Sequence, residues 1–252
     1  MGSSASKITT PPQMSPETAR RGLPQHFRLS YRKSLSLKMV CLLSEPDSSE
    51  PLFALSSPDA WYSEVLLHDG PTTDDPMLAA ITKEGKWGQD FAIILPPLQS
   101  AGIGGSKEIL RYAASLKREM FWFGMMVGEG NNRHIEKFEW RHSHGSEVKG
   151  VGQSRYGWKL VRLGSGIAGE GNQDATDRGD GFTSDGKEIV AVWADVKAFK
   201  SMSGIGEFQF LGSGATGELG MLWSLTAVMS YVCIYVHTMR QAAASNAAVA
   251  AS

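Results

Sequence analysis

The chain has only two cysteines among its 252 residues, Cys41 and Cys233. Both stand in apolar runs, where a thiol behaves as a small buried hydrophobe, so no disulfide framework follows from them and a reducing compartment fits. Near the N-terminus no apolar run has the form of a signal peptide, and no Asn-x-Ser/Thr sequon occurs, so nothing indicates secretion. A G-x-S-x-G nucleophile elbow is also missing. Neither cysteine has an adjacent His or basic residue to activate it, so hydrolase chemistry has no visible nucleophile. Charge is scarce where it matters most, since residues 219–239 contain no Asp, Glu, Lys or Arg. A helix without a charged face must be enclosed by lipid or by protein.

That stretch, LGMLWSLTAVMSYVCIYVHTM, is apolar around its whole circumference. At about 100° per residue its polar side chains form two weak seams, Ser224, Tyr231, Tyr235 and Thr238 on one and Thr226, Ser230 and His237 on the other. Each seam calls for a partner, which strand side chains can provide and hydrocarbon cannot. Thr216 is the expected N-cap, with Glu218 and Arg240 complementing the helix dipole. The expected core face includes Leu222, Trp223, Leu225, Val228, Met229, Val232, Ile234 and Val236.

Ahead of it runs a series of short extended segments separated by Gly, Pro, Asp and Ser. Expected strands cover residues 27–33, 35–43, 52–56, 61–68, 77–83, 91–95, 120–127, 135–142, 157–163, 188–200 and 206–211. Residues 107–120 fit either a helix or a strand plus loop. So many strands close into a barrel too wide for its own side chains to fill, and the apolar helix is the expected plug. The fold class is therefore mainly β, a closed antiparallel barrel of about twelve strands around a central hydrophobic C-terminal helix. Residues 1–26 read as a flexible basic tether, 27–241 as the barrel with a mobile insertion at about 165–185, and 242–252 as a disordered Ala/Ser tail.

Formal net charge is −1, but residues 1–45 carry seven basic residues against Glu17 and Glu45. The remainder is acidic, which argues against nucleic acid as a partner and for attraction of the front end to anionic surfaces. The opening MGSSASK fits the N-myristoylation pattern at Gly2. One acyl chain holds a protein only marginally, so Lys7, Arg20, Arg21 and Arg28 are the expected second, membrane-surface signal.

Other motifs carry less. Residues 164–169 match G-x-G-x-x-G, yet a loop and not a helix follows, so no phosphate cradle is expected there. His142 and His144 share a strand face, with His134 or Glu147 as a conceivable third ligand, but solvent-facing histidines at a hairpin end fit better and no metal is expected. Asp174, Asp177, Asp180 and Asp185 lack calcium-loop spacing. Lys149, Arg155, Lys159 and Arg162 read as a solvated face.

The segments PLFALSS, WYSEVLLHDGP, EKFEWRHSHGSEVKG, GWKLVRL, DGKEIVAVWADVKAF and FQFLGSGATGELGMLWSLTAVMSYVCIY, taken in order, resemble the fungal branch of the Tubby C-terminal-like superfamily from about Phe27 to Arg240. That superfamily is similar in fold to the LURP-one-related and phospholipid scramblase proteins. The resemblance implies a twelve-stranded barrel around a C-terminal helix and points to phosphoinositide or other anionic phospholipid as a ligand, without assigning residues to it. Three functions are expected to compete. The first is a non-enzymatic, monomeric lipid- or protein-binding module, without cofactor, held peripherally on a cytoplasmic membrane face by Gly2 acylation. The second is an integral scramblase-like protein with 219–239 as a span. The third is a soluble barrel of unknown ligand or activity.

Overall fold

The computed structural model describes residues 8, 10–32, 39–57, 64–85, 89–99, 102–115, 119–128, 130, 133–152, 154, 156–165, 181–195 and 204–250. Twelve strands follow one another around a closed antiparallel barrel: β1 (His26–Tyr31), β2 (Met39–Ser44), β3 (Pro51–Ser57), β4 (Val65–His68), β5 (Met77–Lys83), β6 (Phe91–Leu95), β7 (Ser106–Ala114), β8 (Glu119–Val127), β9 (His134–Ser143), β10 (Gly157–Ser165), β11 (Ile189–Asp195) and β12 (Gly204–Phe210). Each strand pairs with its sequence neighbours, and β1 with β12 closes the ring. At that seam Phe27 pairs with Phe208 and their rings stack at 5.0 Å.

Alternation decides which side chains fill the lumen. On β9, Glu136, Phe138 and Trp140 share one parity and are buried, while Ile135 and Lys137 are exposed. The side-chain period of two puts the first set inside and the second on the outer wall. Residues 107–120, open to two readings in sequence, belong to β7 and the start of β8, with residues 116–118 outside the described part.

The lumen is filled by the C-terminal helix α4 (Met221–Ala250), which follows the shorter helices α1 (Pro16–Arg21), α2 (Ser146–Gly152) and α3 (Gly212–Thr216). By length and composition α4 could cross a membrane, yet 72% of its most apolar window is buried within the protein. All eight expected core positions are buried. Both polar seams find partners. Thr226 and Ser230 donate to the carbonyls of Leu222 and Ala227 at 2.8 Å, and Ser230 Oγ accepts a bond of 2.8 Å from Trp140 Nε1. On the other seam Tyr231 stacks on Trp193 at 3.9 Å and the Tyr235 hydroxyl bonds that of Tyr31. The wall supplies Trp140 and Tyr31 as partners for Ser230 and Tyr235, which hydrocarbon would not, whereas the bond of Thr226 lies within the helix itself.

Three expectations about the chain ends need correction. Residues 8–26 do not all form a free tether: Ser15, followed by Pro16, caps α1 by accepting from Thr18 N, and Thr18 is buried. Thr216 does not cap the core helix but ends α3. Gly217 and Gly220, both with positive φ, then turn the chain so that α4 starts at Met221. Residues 242–250, expected as a disordered tail, continue α4, consistent with the high helix propensity of alanine.

Candidate functional site

Where α4 enters the barrel, Arg162 of β10 points inward among carboxylates. Its Nε and Nη2 donate to the two oxygens of Glu136 at 2.5 and 2.7 Å, and its Nη1 to Ser213 Oγ at 3.0 Å and Glu218 Oε1 at 2.9 Å. Glu188 accepts from both Ser213 N and Ser213 Oγ at 2.6 and 2.9 Å. Ser213 belongs to α3 and Glu218 to the turn after it, so the network ties the loop leading into α4 to β9, β10 and the approach to β11. Burial raises the Glu136 carboxyl, but the bonds and charges of Arg162 and His134 outweigh it and hold the group below its ordinary range. Arg162, expected on a solvated face, is thus an internal clamp. Lys159 from the same set pairs with Glu147 at 3.2 Å, and Arg155 lies outside the described residues.

Where α4 leaves the barrel, Glu119 accepts from Tyr112 Oη at 2.8 Å and from Gln241 Nε2 at 3.1 Å, with His237 Nε2 at 3.8 Å. The His237 ring lies against Phe91, Tyr112 and Phe121, and burial pushes its pKa down. The His142 ring lies tilted over that of Trp158 with centroids 3.6 Å apart, and burial lowers its pKa too. His144 meets Tyr156 edge-on, and His134 is paired with Glu136 at 2.6 Å. Among the described residues no three His, Cys, Asp or Glu side chains converge as a metal set. These contacts pack the exit end of the helix against β7 and β8, and beside them a smaller hollow of about 280 Å³ is lined by Glu119, Arg141, His142, Lys159 and Asp185.

Among the described residues, a larger concave surface with room for a ligand lies on the outer wall. It is a cleft of about 890 Å³ between the N-terminal segment and the β6–β7 region, with Pro11, Met14 and Ala19 on one side and Ile94, Pro97 and Leu98 on the other. Its size falls in the range of about 300–1,000 Å³ typical of small-molecule pockets, which are mostly apolar. Polar bonds hold the N-terminal wall in place: Gln13 N donates to Met77 O at 2.7 Å, and Asp69 accepts from Ser15 N at 2.6 Å and Thr18 Oγ1 at 2.5 Å. Elsewhere outside, Met126 and Ile135 are register partners exposed by 45% and 63%. Beside them Lys137 Nζ sits 5.0 Å from the Trp122 ring.

Gly2 and Lys7 lie outside the described residues, as do Asp174, Asp177, Asp180 and most of the G-x-G-x-x-G stretch. Asp185 pairs with Arg141 at 3.1 Å. Of the expected surface cations, Arg20 is exposed on α1, whereas Arg21 lies 3.8 Å from Glu17 and over the Phe53 ring. Arg28 is held by Glu207 at 3.1 Å on the adjoining strand, so its charge is largely answered within the barrel. The cleft was not foreseen, because its N-terminal wall reads in sequence as a Pro-rich linker. Comparison of the chain with protein families, with curated proteins and with solved structures finds no match.

Proposed function

We propose that the chain is a non-enzymatic module, held on the cytoplasmic face of a membrane by an acyl group on Gly2, whose plugged barrel offers its outer wall to lipid or protein. The observation that carries this reading is the filled lumen: with α4 occupying the interior, a ligand is directed to the exterior. The exposed Met126 and Ile135, flanked by Arg133 and Lys137, have the mixed apolar and basic character of surfaces that rest shallowly on anionic bilayers. The motif resemblance supports the same direction, since the architecture it implies, twelve strands around a C-terminal helix, is the one described above.

An integral, scramblase-like protein is the weaker reading. Extracting α4 into lipid would strip Trp140 and Tyr31 of the hydroxyl partners that helix supplies. Alkaline carbonate extraction separates the two: a peripheral module enters the supernatant and a spanning one stays in the pellet. Within the peripheral reading, Gly2→Ala should move most of the protein from the membrane fraction to the soluble fraction of its host cells, because losing the chain removes about 0.8 kcal/mol per buried methylene. Membrane association unaffected by Gly2→Ala would refute the acyl anchor.

A further inference from the structure

We propose that the cleft beside β6 is the resting seat of the chain's own N-terminal acyl group, so that membrane attachment is switched by moving that group between protein and bilayer. The inference rests on the acylation of Gly2 put forward above and adds where the acyl chain goes when it is not in lipid.

Geometry favours this occupant over an unrelated ligand. The cleft's wall begins at Pro11, nine positions after Gly2, and nine extended residues reach at most about 30 Å. An acyl chain on Gly2 is therefore confined to the neighbourhood of the cleft, at an effective concentration that a free ligand would not match. The lining suits an alkyl chain, since Pro11, Met14 and Ala19 face Ile94, Pro97 and Leu98. Lys107 also lines the cleft, but its ammonium is drawn off to Glu84 at 2.9 Å. The N-terminal wall is itself fastened to Asp69 and Met77, so the seat exists before any lipid enters it. Seating the acyl group offsets the exposure of its methylenes in water, and a bilayer competes for the same burial.

The test uses full-length protein with a myristoyl group installed on Gly2 by chemical ligation, so it does not depend on the modification state in the host. With an isotope-labelled chain, NMR should show contacts from the acyl methylenes to the methyl groups of Ile94 and Leu98. Ala19→Trp, at an exposed position on the cleft wall, should fill the seat without disturbing the barrel. If the chain spends about nine-tenths of its time seated, that variant should bind vesicles of phosphatidylcholine and phosphatidylserine about ten-fold more tightly than the acylated wild type. The unacylated pair should bind equally. Leu98→Glu gives a second route to the same release. Absence of acyl contacts to Ile94 and Leu98, together with equal vesicle binding by acylated wild type and Ala19→Trp, overturns the seat and leaves the anchor standing. An unmodified Gly2 in native-host protein, alongside acyl contacts in the ligated protein, removes the anchor and leaves the seat as a latent property of the fold.

Discussion

Replacing Val228 by aspartate should abolish the native fold or reduce its stability by more than about 3 kcal/mol, a large fraction of the roughly 5–15 kcal/mol that a domain possesses. Val228 is 3% exposed and sits mid-helix in α4, one turn from the fully buried Leu225 and from Val232, itself 3% exposed. A carboxylate there would be enclosed among the apolar side chains of the core. It must either stay charged at high desolvation cost or take up a proton at neutral pH. Val228→Ala removes only apolar contact and should be clearly milder, which separates the charge effect from the packing effect. Trp140, Trp193 and Trp223 are buried against or within the helix-filled lumen, so tryptophan emission during urea unfolding reads the loss of the plug directly. A soluble Val228→Asp protein with the wild-type unfolding midpoint would mean that the helix is not enclosed.

Enclosure of that helix was legible only from two features taken together: the absence of charge over residues 219–239, which calls for lipid or protein around it, and a preceding series of strands that closes into a barrel too wide to fill itself. Strand parity was equally readable in residues 157–160 and 136–140, where apolar side chains recur every second position. The same parity carried a signal that was passed over. Arg162 stands in step with Trp158 and Leu160, and Glu136 with Phe138 and Trp140, so both charges had to point inward and meet. Treating Arg162 as solvated weighed residue type above position. The N-terminal cleft was harder to see. Ser15-Pro16-Glu17 has the grammar of a helix start, but α1 runs only six residues, too short to show a period, and its anchor Asp69 lies 54 positions from Ser15. Contacts at that separation leave no local trace in sequence. Arg28 and Glu207 met for the same reason, through the closure of β1 on β12 that brings the ends of the barrel sheet together.

Arg162→Met is expected to cost about 3 kcal/mol or more at neutral pH, because it keeps side-chain bulk while leaving Glu136 in the barrel without its cation. Glu136 is only 4% exposed, and Glu188 and Glu218 lose the same partner. The pH dependence distinguishes this from a packing defect. In the wild type the Glu136 pKa is depressed, so its contribution is fully present above the ordinary glutamate value of 4.5 and is lost as pH falls through the lower folded-state value. In the variant only His134 remains beside Glu136, burial is opposed far less and that pKa moves upward, so protonation relieves the poorly compensated carboxylate as the solution is acidified. Both effects have one sign, and the stability gap between wild type and Arg162→Met should narrow steadily from neutral pH toward acid. Urea titrations at a series of pH values measure the gap. The double variant Arg162→Met with Glu136→Gln removes charge as well as cation, and should recover much of the loss at neutral pH while flattening the dependence. A gap that stays constant with pH would mean that Arg162 holds the loop before α4 by shape alone, and that the carboxylates around it are already answered by other groups.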